Sequence, residues 1–174
     1  MKTILITGST GFVGSHIVER ATADGNKVIA SVRSSSNTTQ LKKHNIPTAI
    51  LSLSDPTKLE LELLSIRKTY GNIDVIIHNA GVTQSLNNDV YYRINYILTK
   101  NLLDCLIKIN QIPSKFILTS SIAALGPGNP TSLLPITEDA KPHPVTHYGK
   151  SKLMAEQYLR SQDIIPWIII RPTI

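Results

Sequence analysis

Tyr148 and Lys152 stand four residues apart in "HYGKSK", a spacing that places both on one face of a helix. A phenol ordinarily titrates near pH ~10. A neighbouring ammonium favours its anion and brings proton transfer closer to neutral pH. The pair is therefore a candidate acid/base, although the same spacing also describes two polar residues on a helix surface.

A second stretch asks for a ligand. "TGSTGFVG", Thr7 to Gly14, follows an apolar run and opens an amphipathic one, with glycines at Gly8, Gly11 and Gly14. Gly8 permits a tight turn, Gly11 lets the backbone approach a pyrophosphate, and Gly14 lets a helix lie close on a sheet. Free N–H groups near Phe12 and Val13 then face the ligand, backed by the helix dipole. Within a strand–turn–helix at the start of the chain, this spacing points to a dinucleotide. The next strand ends "SVRSSS", where an acidic residue would accept from a free ribose hydroxyl. Arg33 with Ser34 beside it suits a 2′-phosphate instead, so the expected cofactor is NADP, with NAD possible. A solvated or adenine-stacking Arg33 is the competing reading.

The elements that must position these residues alternate in type. Strands are expected at 3–7, 27–32, 48–53, 74–78, 115–120 and 167–171, and helices at 12–23, 56–69, 88–110 and 146–161. At most a short helix is expected after Arg33. Asp55-Pro56 is a helix start, and Asn88 or Asp89 can cap the long fourth helix. The strands read as continuous apolar runs, as parallel strands covered on both faces do. The expected fold is α/β: a Rossmann-type doubly wound parallel sheet in three αβα layers, with residues 1–174 as one nucleotide-binding domain.

Composition bounds the rest. The chain has 174 residues, one cysteine and a formal net charge of +6. The basic residues are scattered without aromatic interleaving, which argues against a nucleic-acid partner. No apolar run reaches membrane-spanning length, and no signal-peptide pattern opens the chain. A lone Cys105 among leucines reads as a core residue and fits a reducing compartment, so a cytoplasmic location is expected. His143 and His147 lack the acid or cysteine that would complete a metal site.

With "TGSTGFVG" near the start and "YGKSK" 140 residues later, the chain resembles the extended short-chain dehydrogenase/reductases, the NAD(P)-dependent epimerase/dehydratase group. The resemblance implies a catalytic set of Tyr148, Lys152, Ser121 (with Ser120 its competitor) and Asn95. It implies cofactor contacts from Gly8, Thr10, Gly11, Phe12, Val13, Gly14, Arg33, Ser34, Ser52, Leu53, Asn79, Ala80, Gly81, Lys152 and Pro172. Lys152 would also reach the nicotinamide ribose, Glu138 would stand in an acidic-proline run before the tyrosine, and "RPTI" would begin the segment flanking the nicotinamide. Two places depart from the family's pattern. Ser52 stands where an adenine-binding aspartate is usual, and Leu98-Thr99 where the long helix carries glycine-threonine.

The implied reaction is hydride exchange at a carbinol or carbonyl carbon of a sugar nucleotide or small ketone. Ser121 would hold the substrate oxygen, and Asn95 would hold backbone or a water behind the lysine. His78 reads as cofactor-side wall. Because the segments after "RPT" build the family's substrate lobe, that lobe is expected to be absent from this chain. The alternative is then an NADP-binding module without turnover. A homodimer through helices 88–110 and 146–161 is also implied.

Overall fold

The structure, a computed structural model, describes residues 1–128, 131 and 134–173. Ile174, the last residue of "RPTI", lies outside them. Six parallel strands form one sheet: β1 (Thr3–Thr7), β2 (Lys27–Val32), β3 (Thr48–Ile50), β4 (Val75–His78), β5 (Lys115–Thr119) and β6 (Trp167–Ile170). Their order is β3-β2-β1-β4-β5-β6. The order reverses between β1 and β4, and a cleft opens there beyond the carboxyl ends of the strands.

Alternating strand residues feed two cores. Leu5, Ile29, Ile76, Phe116 and Leu118 pack against α3 (Pro56–Tyr70), α5 (Leu98–Lys108) and α6 (His147–Arg160) on one face. Ile4, Ile6, Val28, Ala30 and Val75 pack against α1 (Phe12–Ala23) and α2 (Thr39–Lys43) on the other. This is the expected three-layer arrangement. Cys105 is buried in the first core, as its leucine neighbours imply.

The boundaries differ in instructive places. β3 stops at Ile50 rather than 53, because the Ser52 N–H leaves the ladder and donates to Glu62 Oε2 at 2.6 Å. Residues 88–108 are not one uniform helix: α4 (Asn88–Tyr91) runs into a π segment (Tyr92–Ile97) and then α5. The cap of α4 is Asn87, whose side chain accepts from the Asp89 N–H, rather than Asn88 or Asp89. α3 starts as expected, with Asp55 accepting from Lys58 N and Pro56 in its first turn.

Coverage of the sheet is also uneven. Ile168 and Ile170 on the edge strand β6 remain 43% and 48% exposed, because the helices on that face, α1 and α2, lie over β1 and β2. No helix among the described residues is long and apolar enough to cross a membrane.

Candidate active site

The first βα turn is built by close approach. Gly8 adopts φ +67°, and a Cβ there would stand 2.8 Å from backbone atoms of Asn79 and Ala80. A Cβ on Gly14 would stand 2.0 Å from Gly8 O. Only glycine fits either place. Gly11 starts α1 with no side chain capping the helix. The N–H groups of the first turn thus open to the cleft, ready for an anion. Ser9 Oγ donates to Ser31 O at 2.6 Å and ties this turn to the end of β2.

At that end, Arg33 N donates to Ser36 Oγ at 3.0 Å and Ser36 N to Arg33 O at 2.9 Å, closing a tight turn. The Arg33 guanidinium itself has no ion-pair or hydrogen-bond partner among the described residues and borders the cleft.

The opposite wall comes from β5 and α6. Thr146 caps α6, its Oγ1 accepting from Gly149 N at 3.0 Å. A Cβ on Gly149 would stand 2.2 Å from Ala123 O, so the first turn of α6 sits directly on the turn after β5. That contact brings Tyr148 and Lys152 beside Ser121. Tyr148 is half-buried, and its ring lies 6.1 Å from that of Tyr91.

Lys152 is only 6% exposed and donates to Thr119 O at 2.9 Å. Burial lowers its pKa to about 8, and the Glu156 carboxylate opposes that shift. Gly81 makes room for it, since a Cβ there would meet Lys152 Nζ at 3.1 Å and Asn95 Oδ1 at 3.0 Å.

The two serines part company. Ser120 Oγ donates to Glu156 Oε1 at 2.6 Å. The same carboxylate receives a two-pronged bond from Arg171, Nε at 2.9 Å and a terminal nitrogen at 2.6 Å. Ser121 Oγ accepts from Ala123 N at 3.2 Å, which leaves its proton available.

One cleft of about 1130 Å³ gathers most of the expected residues. Gly8, Thr10, Gly11, Phe12, Val13, Arg33, Ser34, Ser52, Leu53, Asn79, Ala80, Gly81, Ser121, Tyr148, Lys152 and Pro172 all line it. Its dimensions, glycine-lined floor and open helix N-terminus fit a dinucleotide.

Three residues named for the site are engaged within the protein itself. Gly14 lies beneath the turn and serves packing rather than ligand contact. Ser52 lines the cleft, and its hydroxyl donates to Glu62 Oε1 at 2.8 Å, so toward an adenine amine it can act only as an acceptor. Asp55 cannot replace it, because it caps α3. Asn95 is 2% exposed and does not line the cleft. Its side chain accepts from Val82 N at 2.8 Å and donates to Val82 O at 3.0 Å and Ser151 Oγ at 3.0 Å.

The histidines next to Tyr148 are loop fasteners. His143 Nε2 pairs with Pro127 O at 2.8 Å and His147 Nδ1 with Tyr92 OH at 2.9 Å. No metal-ligand cluster occurs among the described residues.

Sequence reasoning missed Glu156 and Arg171, and also Arg93, Thr83 and Gln84 on the cleft rim. Glu156 had a legible signal: it stands one further turn along α6, on the face of Lys152. Arg93 carried none, because the register of a π segment does not follow from helical spacing.

Comparison with known proteins agrees with this geometry. The sequence profile of the NAD dependent epimerase/dehydratase family matches residues 4–173. The chain is 32% identical over 161 residues to a UDP-glucose 4-epimerase of Azospirillum brasilense, covering 90% of this chain and 43% of that protein. It is 29% identical over 163 residues to the UDP-glucose 4-epimerase of Streptococcus mutans, covering 92% and 47%. Among solved structures, the UDP-Glc/GlcNAc 4-epimerase of Campylobacter jejuni superposes with a TM-score of 0.80 at 25% identity, over 98% of this chain and 53% of that one. The chain thus spans about half the length of such relatives. It belongs to the NAD dependent epimerase/dehydratase family.

Proposed function

We propose that this chain binds a nicotinamide dinucleotide and carries the acid/base half of a hydride-exchange site acting on a carbinol or carbonyl carbon. The observation that carries the reading is the meeting of the Gly8–Gly11 turn with Ser121, Tyr148 and Lys152 in one cleft.

In this reading the pyrophosphate lies on the open N-terminus of α1, held by N–H groups and the helix dipole. Arg33, Ser34 and Ser36 take the adenosine ribose, and the absence of a carboxylate there favours a 2′-phosphate, hence NADP. The family is described as NAD dependent, which keeps NAD as the alternative. Bound nicotinamide would accept a hydride from the substrate carbon and return it.

The chain's own residues handle the proton and the oxygen. Tyr148 takes the carbinol proton as phenolate and gives it back as phenol. Lys152, one helical turn on, stabilises negative charge at that oxygen. The free proton of Ser121 Oγ donates to the substrate oxygen as its charge changes. Asn95 holds the 81–82 backbone behind Lys152 rather than meeting substrate.

UDP-sugar epimerases among the relatives make a sugar nucleotide the leading substrate class, with a small ketone second. A cofactor-binding module without turnover is the rival reading. It has one specific support: about half of each relative's length has no counterpart in this chain, and positioning of substrate is a large part of catalysis.

Fluorescence titration with NADPH and NADH, followed by single-turnover assays with UDP-glucose and a ketone panel, separates these readings. Binding with turnover supports the enzyme. Binding without turnover supports the module, and no binding of either nucleotide rejects both.

We further propose that two copies pair through α4–α5 and α6, whose outer faces expose Ile97 and Met154.

A further inference from the structure

His78, expected as cofactor-side wall, is fully buried at the end of β4 behind Thr7 and Asn79, which line the cleft while it does not, and the hydride chemistry makes no use of it. Its ring is held at both nitrogens. Nδ1 lies 2.8 Å from Thr7 Oγ1, and Nε2 lies 3.0 Å from Thr99 Oγ1. The two threonines have further partners. Thr7 Oγ1 accepts from Ala80 N at 3.1 Å, and Thr99 Oγ1 donates to Asn95 O at 2.7 Å.

A threonine hydroxyl has one proton. The Thr99 proton goes to the Asn95 carbonyl, which can only accept, so His78 Nε2 must carry a hydrogen and donate. A neutral ring protonated at Nε2 has a bare Nδ1, so Thr7 Oγ1, which accepts from Ala80 N, points its own proton there. Every donor and acceptor is then matched by one neutral tautomer and by no other. A cationic ring would leave the Thr7 proton without an acceptor.

The chain of bonds continues through Asn95. Its side chain donates to Ser151 Oγ at 3.0 Å, and Ser151 Oγ donates to Tyr148 O at 2.7 Å. Ser151 is itself fully buried.

We infer that His78 is a positioning residue, locked as the neutral Nε2–H tautomer. Through it, hydrogen bonds run one way from the Ala80 peptide on the cofactor wall to the Asn95 carbonyl, and Asn95 in turn ties its side-chain amide, through Ser151, to the start of α6, which carries Tyr148 and Lys152. The ring's environment is consistent with this. Burial, aided by the Lys152 charge, lowers its pKa to about 3, so it stays neutral throughout the range in which enzymes work.

The coupling is directional in a way that substitutions can divide. Asparagine places an oxygen near the Nδ1 position and keeps the acceptor for Thr7, while losing the donor to Thr99. Glutamine places an NH₂ near the Nε2 position and keeps the donor to Thr99, while losing the acceptor for Thr7.

The cofactor arm rests on the function proposed above; the ring itself is observable without any ligand. Two-bond ¹H–¹⁵N spectra of the ¹⁵N-histidine-labelled chain should show His78 as a neutral Nε2–H ring, unchanged from pH 8 to pH 5. An Nδ1–H tautomer, or a ring titrating near the ordinary histidine value, overturns the inference.

His78→Asn should move the Asn95 side-chain amide resonance while leaving NADPH and NADH affinity within about twofold. His78→Gln should leave that resonance in place and weaken affinity about fivefold, the order expected when one buried polar partner is lost. Equal effects of both variants on both readouts would make His78 a packing residue and end the proposal. If the unaltered chain bound neither nucleotide, the cofactor reading would fail. The ring spectrum and the Asn95 resonance would then decide this inference alone.

Discussion

Ser120 Oγ donates to the buried carboxylate of Glu156 at 2.6 Å, so of two adjacent hydroxyls only that of Ser121 keeps a proton to offer the cleft. Ser121→Ala should lower turnover about 100-fold or more, the effect of removing one donor to a developing oxyanion. Ser120→Ala should cost stability instead, about 1–3 kcal/mol, because a buried carboxylate loses a partner. Parallel rate assays and urea denaturation of the two variants test the division. A rate loss confined to Ser120→Ala would reverse the assignment.

Tyr148→Phe removes one oxygen and leaves the ring against Tyr91. Turnover should fall about 100- to 10,000-fold, the usual worth of a positioned acid/base. Affinity for NADPH or NADH should stay within about twofold. Equal loss of both would make the tyrosine structural.

Lys152 supplies a pH dependence with a definite sign. Its folded pKa of about 8 lies below the ordinary lysine value of 10.5. Below pH 8 both folded and unfolded chains hold the proton, and the full cost of the buried charge is present. Between those values only the unfolded chain holds it, so stability rises with pH. Lys152→Met should remove that rise and stabilise the fold near pH 7 by about 2 kcal/mol, the charge cost less the bond to Thr119 O. Denaturation midpoints of both proteins from pH 7 to 10.5 test this, and parallel curves would refute it.

Arg33 decides between the two nucleotides if the 2′-phosphate reading holds. Arg33→Asp should weaken NADPH binding about 10- to 100-fold and leave NADH binding unchanged or improved, since a carboxylate repels phosphate and accepts from a ribose hydroxyl. Titration of both nucleotides is the measurement. An unchanged preference would return Arg33 to the solvent.

Pairing through α4–α5 and α6 predicts a dimer by light scattering at micromolar concentration. Met154→Glu, which puts a charge on that face, should shift it to monomer. A monomeric unaltered chain would rule the pairing out.

The sheet and most of the cleft were legible because their signals are local. Glycines at Gly8, Gly11 and Gly14 require particular backbone paths, and apolar runs such as "TILIT" and "DVIIH" require burial. What escaped depends on contacts distant in sequence. Glu62 ends β3 from ten residues away, and no strand propensity contains that information. Ser52 was read as a cofactor contact by resemblance, and here its proton is committed to Glu62; Asn95, expected to hold backbone or a water, holds the Val82 backbone. The edge strand β6 formed as read, but Ile168 and Ile170 stay partly exposed, since an apolar run reports a need for cover and not what supplies it.

The π segment from Tyr92 to Ile97 stores a residue count. Just before it, Tyr91 OH accepts from Ser85 N at 2.9 Å, and at its first residue Tyr92 OH meets His147. Downstream, Thr99 must meet His78. Removing one residue within the segment would turn everything after it by ~100°, one residue's share of a helical turn. Composition would hardly change, yet the two sets of contacts could no longer form together. The site is thus exposed to a lesion that need remove none of its catalytic side chains: a single deleted codon, distant in sequence from Tyr148, would disconnect it.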